Sequence, residues 1–301
     1  MARIKRNVIE RLRVEPGTRV NLKKYLTDWR GDKDARALGE KTIRKRAAKV
    51  LEKNREELAA AQELLYADNR YSLLIVFQAM DAAGKDGTIR HVMSGVNPQG
   101  CQVSSFKQPS SEELDHNFLW RYAKRLPERG NIGIFNRSYY EEVLVVRVHP
   151  ELVAKQRIPD AKVDRKLWEQ RFDDINNFER HLARNGTVII KFFLNVSKKE
   201  QKERFLERLN NPEKHWKFSS ADLAERAHWK EYMSAFEDAI TATSTKWAPW
   251  YIIPADSKYL ARALVADIIS DTVKRLDLRY PEISDLQKKE LAAARKELEN
   301  E

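Results

Sequence analysis

The sequence predicts an α/β fold in three layers, a five-stranded parallel sheet covered by helices on both faces. Three observations predict it. Five short β-rich runs alternate with helical segments along the 301 residues. The runs are continuously apolar, the pattern of strands buried on both sides. The first run passes directly into a small-residue loop, a lysine and a helix start. In such a sheet the working site lies at the carboxyl ends of the strands.

Residues 1–41 show little periodicity and contain Pro16, Gly17, Gly31 and Gly39, so they read as an extended arm over the core or a neighbouring subunit. From Lys41 the pattern turns helical. Ile43, Ala47, Val50, Leu51, Leu58, Ala61, Leu64 and Leu65 make one apolar stripe between charged faces, a packing surface. Strands are expected at 72–78, 102–106, 131–135, 187–194 and 250–253. Helices are expected at 86–94, 111–126, 138–148, 164–185, 197–209, 221–242 and 257–278. Leu286 to Glu301 reads as a charged, peripheral helix. Without an internal repeat or a linker, one domain over 1–301 is the simplest organisation: an arm at 1–41, a core at 42–280 and a terminal helix in 281–301.

Hydrophobic residues at 42% suffice for a large core, and no apolar run approaches the roughly 20 residues that span a bilayer. The start, Met1-Ala2-Arg3-Ile4-Lys5-Arg6, lacks the apolar centre of a signal peptide. A single cysteine, Cys101, excludes an internal disulfide framework. A cytoplasmic location with no membrane partner is expected. The net charge of +11 draws polyanions, and residues 1–25 concentrate eight Lys/Arg against Glu10 and Glu15. Nucleic acid, anionic membrane and polyphosphate all satisfy that charge.

The run Leu73-Leu74-Ile75-Val76-Phe77-Gln78 leads into Ala79-Met80-Asp81-Ala82-Ala83-Gly84-Lys85-Asp86-Gly87-Thr88. This is how a phosphate-binding loop is built: unpaired amides at a helix start face an anion, and the lysine adds a mobile charge. Against G-x-x-x-x-G-K-[ST], Ala79 stands at the first glycine and Asp86 at the magnesium-binding hydroxyl. Asp81, inside the loop, is repelled by phosphate unless a cation stands between them or it handles a proton. The plainer reading is a tight strand-to-helix turn; strand, loop and helix in this order favour phosphate.

The third strand, Ile132-Gly133-Ile134-Phe135, ends in Asn136-Arg137-Ser138-Tyr139-Tyr140-Glu141-Glu142. Phosphate-loop proteins hold an acidic residue at this strand end to organise magnesium; here Asn136 replaces it, with Glu141 and Glu142 following. Arg137 has the planar fork to clamp a phosphoryl group. Alone, the segment reads equally as a helix start with favourable acids. After the fourth strand, Lys202, Arg204, Arg208, Lys214 and Lys217 surround the helix-breaking Asn210-Asn211-Pro212, which reads as a helical lid near 200–220.

The second strand exits through Phe106-Lys107-Gln108-Pro109, where Lys107 can approach an acceptor nucleotide above Phe106; a plain strand exit fits as well. Pro254-Ala255-Asp256 resembles a loop bordering a nucleotide base. Trp229, Met233, Phe236 and Ile240 at helical spacing, and Trp247, Trp250 and Tyr251, read as packing. The six histidines and Cys101 show no spacing for zinc or for a nucleophilic dyad.

The segments Gln78 to Arg90, Gly95-Val96-Asn97-Pro98-Gln99-Gly100 and Phe135 to His149 together closely resemble the second family of polyphosphate kinases. Asn211-Pro212-Glu213-Lys214-His215-Trp216-Lys217-Phe218 and Ala248-Pro249-Trp250-Tyr251-Ile252-Ile253-Pro254-Ala255 extend the match, which covers most of 45–280. Lys85-Asp86-Gly87 and Phe135-Asn136-Arg137-Ser138 look most like its class III. The resemblance implies a phosphate-loop kinase fold of the thymidylate-kinase type. It implies transfer between inorganic polyphosphate and both nucleoside monophosphates and diphosphates, dependent on Mg2+ with Mn2+ as an alternative, in a dimer or tetramer.

Carried over by residue, the resemblance implies that Lys85 and the backbone of Ala82, Ala83, Gly84, Asp86, Gly87 and Thr88 hold the exchanged phosphates. Asp81 assists the attacking oxygen, through a proton or a metal, and Arg137 neutralises charge at the transferred group. Glu141, with Glu142, helps to hold the metal in place of the missing strand-end acid. Arg204, Arg208, Lys214 and Lys217 line the polyanion's path, while Phe106, Lys107 and Asn136 border the nucleotide. An ATP-dependent nucleoside or nucleotide kinase of the same fold is the alternative. A nucleic-acid-binding module finds no zinc finger, recognition helix or aromatic RNA platform in the sequence, so no nucleic-acid partner is expected.

Overall fold

The computed structural model describes residues 4–301. The helices α1 (Arg6–Leu12), α2 (Lys33–Leu38) and α3 (Glu40–Asp68) precede β1 (Ser72–Gln78) and α4 (Lys85–Val92). The edge strand β2 (Cys101–Ser105) is followed by α5 (Ser111–Leu114) and α6 (Trp120–Ala123). From β3 (Ile132–Asn136) the chain runs through a 3-10 turn at Tyr139–Val143 into α7 (Val145–Val148), α8 (Leu152–Lys155) and α9 (Arg165–Arg184). Then come β4 (Thr187–Asn195), α10 (Lys198–Asn210), a 3-10 segment at Pro212–Lys217, α11 (Ser220–Ala227) and α12 (Trp229–Thr243). The last elements are β5 (Trp250–Pro254), α13 (Lys258–Lys274) and α14 (Asp285–Leu298).

All five strands are parallel, in the order β2-β3-β1-β4-β5. The strand that carries the loop is therefore central, and every one of its seven residues is buried. Each fully buried Leu, Ile or Val side chain there contributes about 1.5–3 kcal/mol. Helices α3, α4 and α13 pack together as one layer, while α9 packs against β4 and α12. The register sets Phe77 beside Asn136 and Gln78 beside Phe193, so the ends of β3 and β4 flank the start of the loop. Across that gap Gln78 Nε2 donates to Ser138 Oγ at 3.2 Å.

The five strands fall within a residue or two of their predicted bounds; several helices do not. The 111–126 segment is not one helix but α5 and α6, with Asn117 Oδ1 accepting from the Leu119 amide in the turn between them. The 138–148 segment opens as a 3-10 turn, and 221–242 breaks at His228 into α11 and α12. The arm contains α1 and α2, and it packs on its own core. Val14, Val20 and Leu22 are buried, and the Val14 amide donates to the Trp250 carbonyl at 2.9 Å. Trp250 is core as expected, whereas Trp247 is exposed. Helix α14 is exposed along its whole length. Among the described residues no helix is long and apolar enough to cross a membrane.

One buried polar network underlies the site. Lys191, fully buried on β4, donates to Glu179 Oε2 at 2.6 Å, to the Tyr140 hydroxyl at 2.8 Å and to the Thr243 carbonyl at 2.7 Å. Both Tyr139 and Tyr140 donate to Glu179 Oε1, at 2.8 and 2.9 Å. Burial pushes the Glu179 carboxyl up and the Lys191 ammonium down to about 8, each opposed by the other's charge. The network anchors the first residues of the 139–143 turn. Removing one member of such a pair strands a buried charge, so Lys191→Met is expected to lower unfolding free energy by ~3–5 kcal/mol in urea. Adding Glu179→Gln, which keeps an acceptor for the tyrosines, should recover part of that loss.

Candidate active site

Helix α4 begins at Gly84, whose φ of +101° lies in the left-handed region that glycine enters without strain. No side chain caps the helix there, so its first-turn amides are left for an anion. The side chain of Lys85 folds back into the loop, donating to the carbonyls of Ala79 at 2.9 Å and Met80 at 3.5 Å. Burial, and then the nearby Arg137 guanidinium, push its ammonium below the ordinary lysine range. Its charge is thus held in a low-dielectric pocket against the carbonyls that follow β1. Thr88 is buried, Gly87 half-buried, and Asp86 exposed, accepting from Asn136 Nδ2 at 2.6 Å.

Arg137 follows β3 with its amide bonded to the Phe77 carbonyl at 3.1 Å and a φ of +65°, a strained value for a residue with a Cβ. That turn aims its guanidinium between two carboxylates: Asp81 Oδ1 at 2.6 Å and Glu141 Oε2 at 3.4 Å. The Glu141 charge, followed by that of Asp81, raises the arginine further above its ordinary range. The fork is therefore held, rather than free to wander. Asp81, Arg137 and Glu141 line one cleft of about 210 Å³ with Gln78, Met80, Asp222, Glu225 and Tyr232.

Sequence reasoning missed the last three of these. Asp222 and Glu225 come from α11, and burial, then the Asp81 charge, raise the Asp222 carboxyl. Glu225 accepts from His149 Nε2 at 2.9 Å and from the Tyr232 hydroxyl at 2.5 Å. A pair of acids three residues apart on a predicted helix after a basic segment was the available signal, but it equally marks a solvated face.

Several predicted residues lie elsewhere. Arg204 is buried behind the loop instead of lining a polyanion path. Its Nη1 donates to the carbonyls of Ala82 at 3.0 Å and Ala83 at 2.6 Å, and its Nη2 to those of Ala255 at 2.6 Å and Asp256 at 3.0 Å. Its Nε meets Glu200 at 2.8 Å. Arg208 pairs with Asp222 at 3.4 Å, Lys214 with Glu207 at 2.5 Å, and Lys217 lies over the Trp216 ring. The last two stand on the 3-10 segment at Pro212–Lys217. Glu142 is buried away from the cleft, taking Gln156 Nε2 at 2.6 Å and pairing with Arg171 at 3.5 Å. It is not placed to hold a metal with Asp81.

Phe106 is likewise core, packed on Tyr122 and Phe135, while Lys107 beside it is exposed. The 254–256 loop is already engaged. The Asp256 amide donates to the Thr27 carbonyl at 2.8 Å, Asp256 Oδ1 accepts from the Ser197 amide at 2.7 Å, and Arg204 takes the carbonyls.

Known proteins share this sequence and fold. The profile of the family described as Polyphosphate kinase 2 matches residues 41–281. The ADP-polyphosphate phosphotransferase of Rhodopseudomonas palustris is 54% identical over 244 residues, 81% of this chain and 84% of that protein. The AMP/ADP-polyphosphate phosphotransferase of Meiothermus ruber is 45% identical over 275 residues, 91% of this chain and 96% of that one. The crystal structure of polyphosphate kinase 2 from Arthrobacter aurescens TC1 superposes with a TM-score of 0.82 at 38% identity, covering 95% of this chain and 96% of that one. With a match across most of its length and a parallel sheet that presents the loop, the arginine and the acids together, the chain belongs to the polyphosphate kinase 2 family.

Proposed function

We propose that this protein transfers phosphoryl groups between inorganic polyphosphate and nucleotides, taking nucleoside monophosphates to diphosphates and diphosphates to triphosphates in the manner of class III. The observation that carries the proposal is Arg137 held between Asp81 and Glu141 at the mouth of a lysine-bearing phosphate loop. The names of the relatives from R. palustris and M. ruber support the substrates.

In the reaction, a phosphate oxygen of the acceptor attacks the terminal phosphorus of polyphosphate. The bond from that phosphorus to the next bridging oxygen breaks, leaving the chain one unit shorter. The attacking oxygen is already ionised at neutral pH, so positioning and charge neutralisation matter more than a strong base. Lys85 and the α4 amides grip the phosphates, and Arg137 offsets charge on the group in flight. Asp81 and Glu141 offer the hard carboxylate oxygens that would hold a divalent cation, which would supply further charge neutralisation. Among the described residues no group of three or more His, Cys, Asp or Glu side chains could hold a metal ion. An ATP donor has less support, because the relatives from R. palustris and M. ruber are named for polyphosphate.

Incubation with polyphosphate, Mg2+ and AMP or ADP should yield ADP and ATP on chromatography; no nucleotide product, or transfer from ATP alone, would refute the reading. Lys85→Ala and Arg137→Ala are each expected to lower kcat about a hundred- to a thousandfold with an unchanged melting curve. Chelation with EDTA should abolish turnover, and added Mg2+ or Mn2+ should restore it in the wild type. Asp81→Asn should restore poorly at any metal concentration.

A further inference from the structure

Gln201 is fully buried on α10, one helical turn from Arg204, yet its amide serves two separate pieces of the protein. Its Nε2 donates to the Asp81 carbonyl in the phosphate loop at 2.9 Å. Its Oε1 accepts from Arg226 Nη1, on the neighbouring helix α11, at 2.7 Å. That same nitrogen also donates to the Lys198 carbonyl at 2.8 Å, at the first turn of α10. We infer that Gln201 is a positioning residue that couples docking of helix α11 to the conformation of the phosphate loop.

A glutamine presents one acceptor and one donor group, and only one orientation satisfies both partners here. Rotated by half a turn, the amide would set its oxygen against the Asp81 carbonyl and its NH2 against a guanidinium. Docked Arg226 thus enforces the orientation in which Asp81 receives a donor. When α11 lifts, the amide loses that constraint. The carbonyl it holds immediately precedes Ala82, a non-glycine residue at φ +60°, so the loop is strained at this point and needs outside support. Gln201 and Arg226 touch neither the Asp81 carboxylate nor the Lys85 ammonium, yet α11 also brings Asp222 and Glu225 to the cleft. One movement would therefore complete the cleft and set the loop.

The kinetic arm of the test rests on the phosphotransfer reading; the exchange arm does not. Arg226→Ala and Gln201→Leu are each expected to lower kcat roughly five- to a hundredfold, with KM for polyphosphate and nucleotide nearly unchanged. The double variant should be no slower than the worse single one, the non-additivity of residues acting in series. In Arg226→Ala, amide hydrogen exchange at 80–84 should quicken although the Arg226 guanidinium donates to α10 and not to the loop, while the melting temperature holds. Multiplicative losses, a KM effect alone, or unchanged exchange at 80–84 would overturn the coupling. If the wild type transfers no phosphate, the functional reading falls and exchange in Arg226→Ala, which removes only a partly exposed side chain, decides the coupling by itself.

Discussion

The site depends on the buried grip of Arg204. One planar guanidinium collects the carbonyls of Ala82 and Ala83 from the loop and of Ala255 and Asp256 from the end of β5. A loop that offers its amides to a phosphate must turn carbonyls the other way, and those oxygens need donors when water is excluded. Arg204 supplies them from behind, and Gln201 adds one for Asp81. Hydrogen bonds from a charged donor are worth ~1.5–3 kcal/mol each, so the loop is set by a few strong contacts rather than by its own sequence.

Charge at the cleft runs against the charge of the whole molecule. The chain carries +11, yet Asp81, Glu141, Asp222 and Glu225 gather around Lys85 and Arg137. Four carboxylates against two cations would repel a polyanion on their own. The arrangement makes sense if each acid is busy: two hold Arg137, one holds Arg208, and one receives His149 and Tyr232. Incoming phosphates and their counter-cation then meet a rigid pattern of charge, not a diffuse positive field. The excess of basic residues lies outward, where it draws a polyanion at long range.

Much of the fold was legible because strands buried on both sides leave continuous apolar runs, and the turn after β1 has few alternative shapes. The loop, Arg137 and Glu141 could be found because strand order brings the ends of β1 and β3 together. The failures share one cause. Arg204, Glu142 and Phe106 were judged by residue type, and type does not tell which way a side chain faces. A basic residue after β4 reads as part of a cationic lid, but α10 buries Gln201, Arg204 and Phe205 on one face and makes this arginine a brace. Glu142 differs from its neighbour Glu141 by one step in a 3-10 turn, enough to send it to Arg171. The break at His228, which gives α11 its own orientation and brings Asp222 inward, carries no Pro or Gly to announce it.

The arm that crosses to Trp250 has a bearing on solubility. By pairing Arg13 with Tyr251 and bonding Val14 to the Trp250 carbonyl, it seals the β5 margin of the sheet. The opposite margin, β2, keeps its outer backbone groups open and shows Val103 to solvent. Loss of the first twenty or so residues would leave two raw edges where there is now one, and sticky sheets in crowded cells stack from their edges.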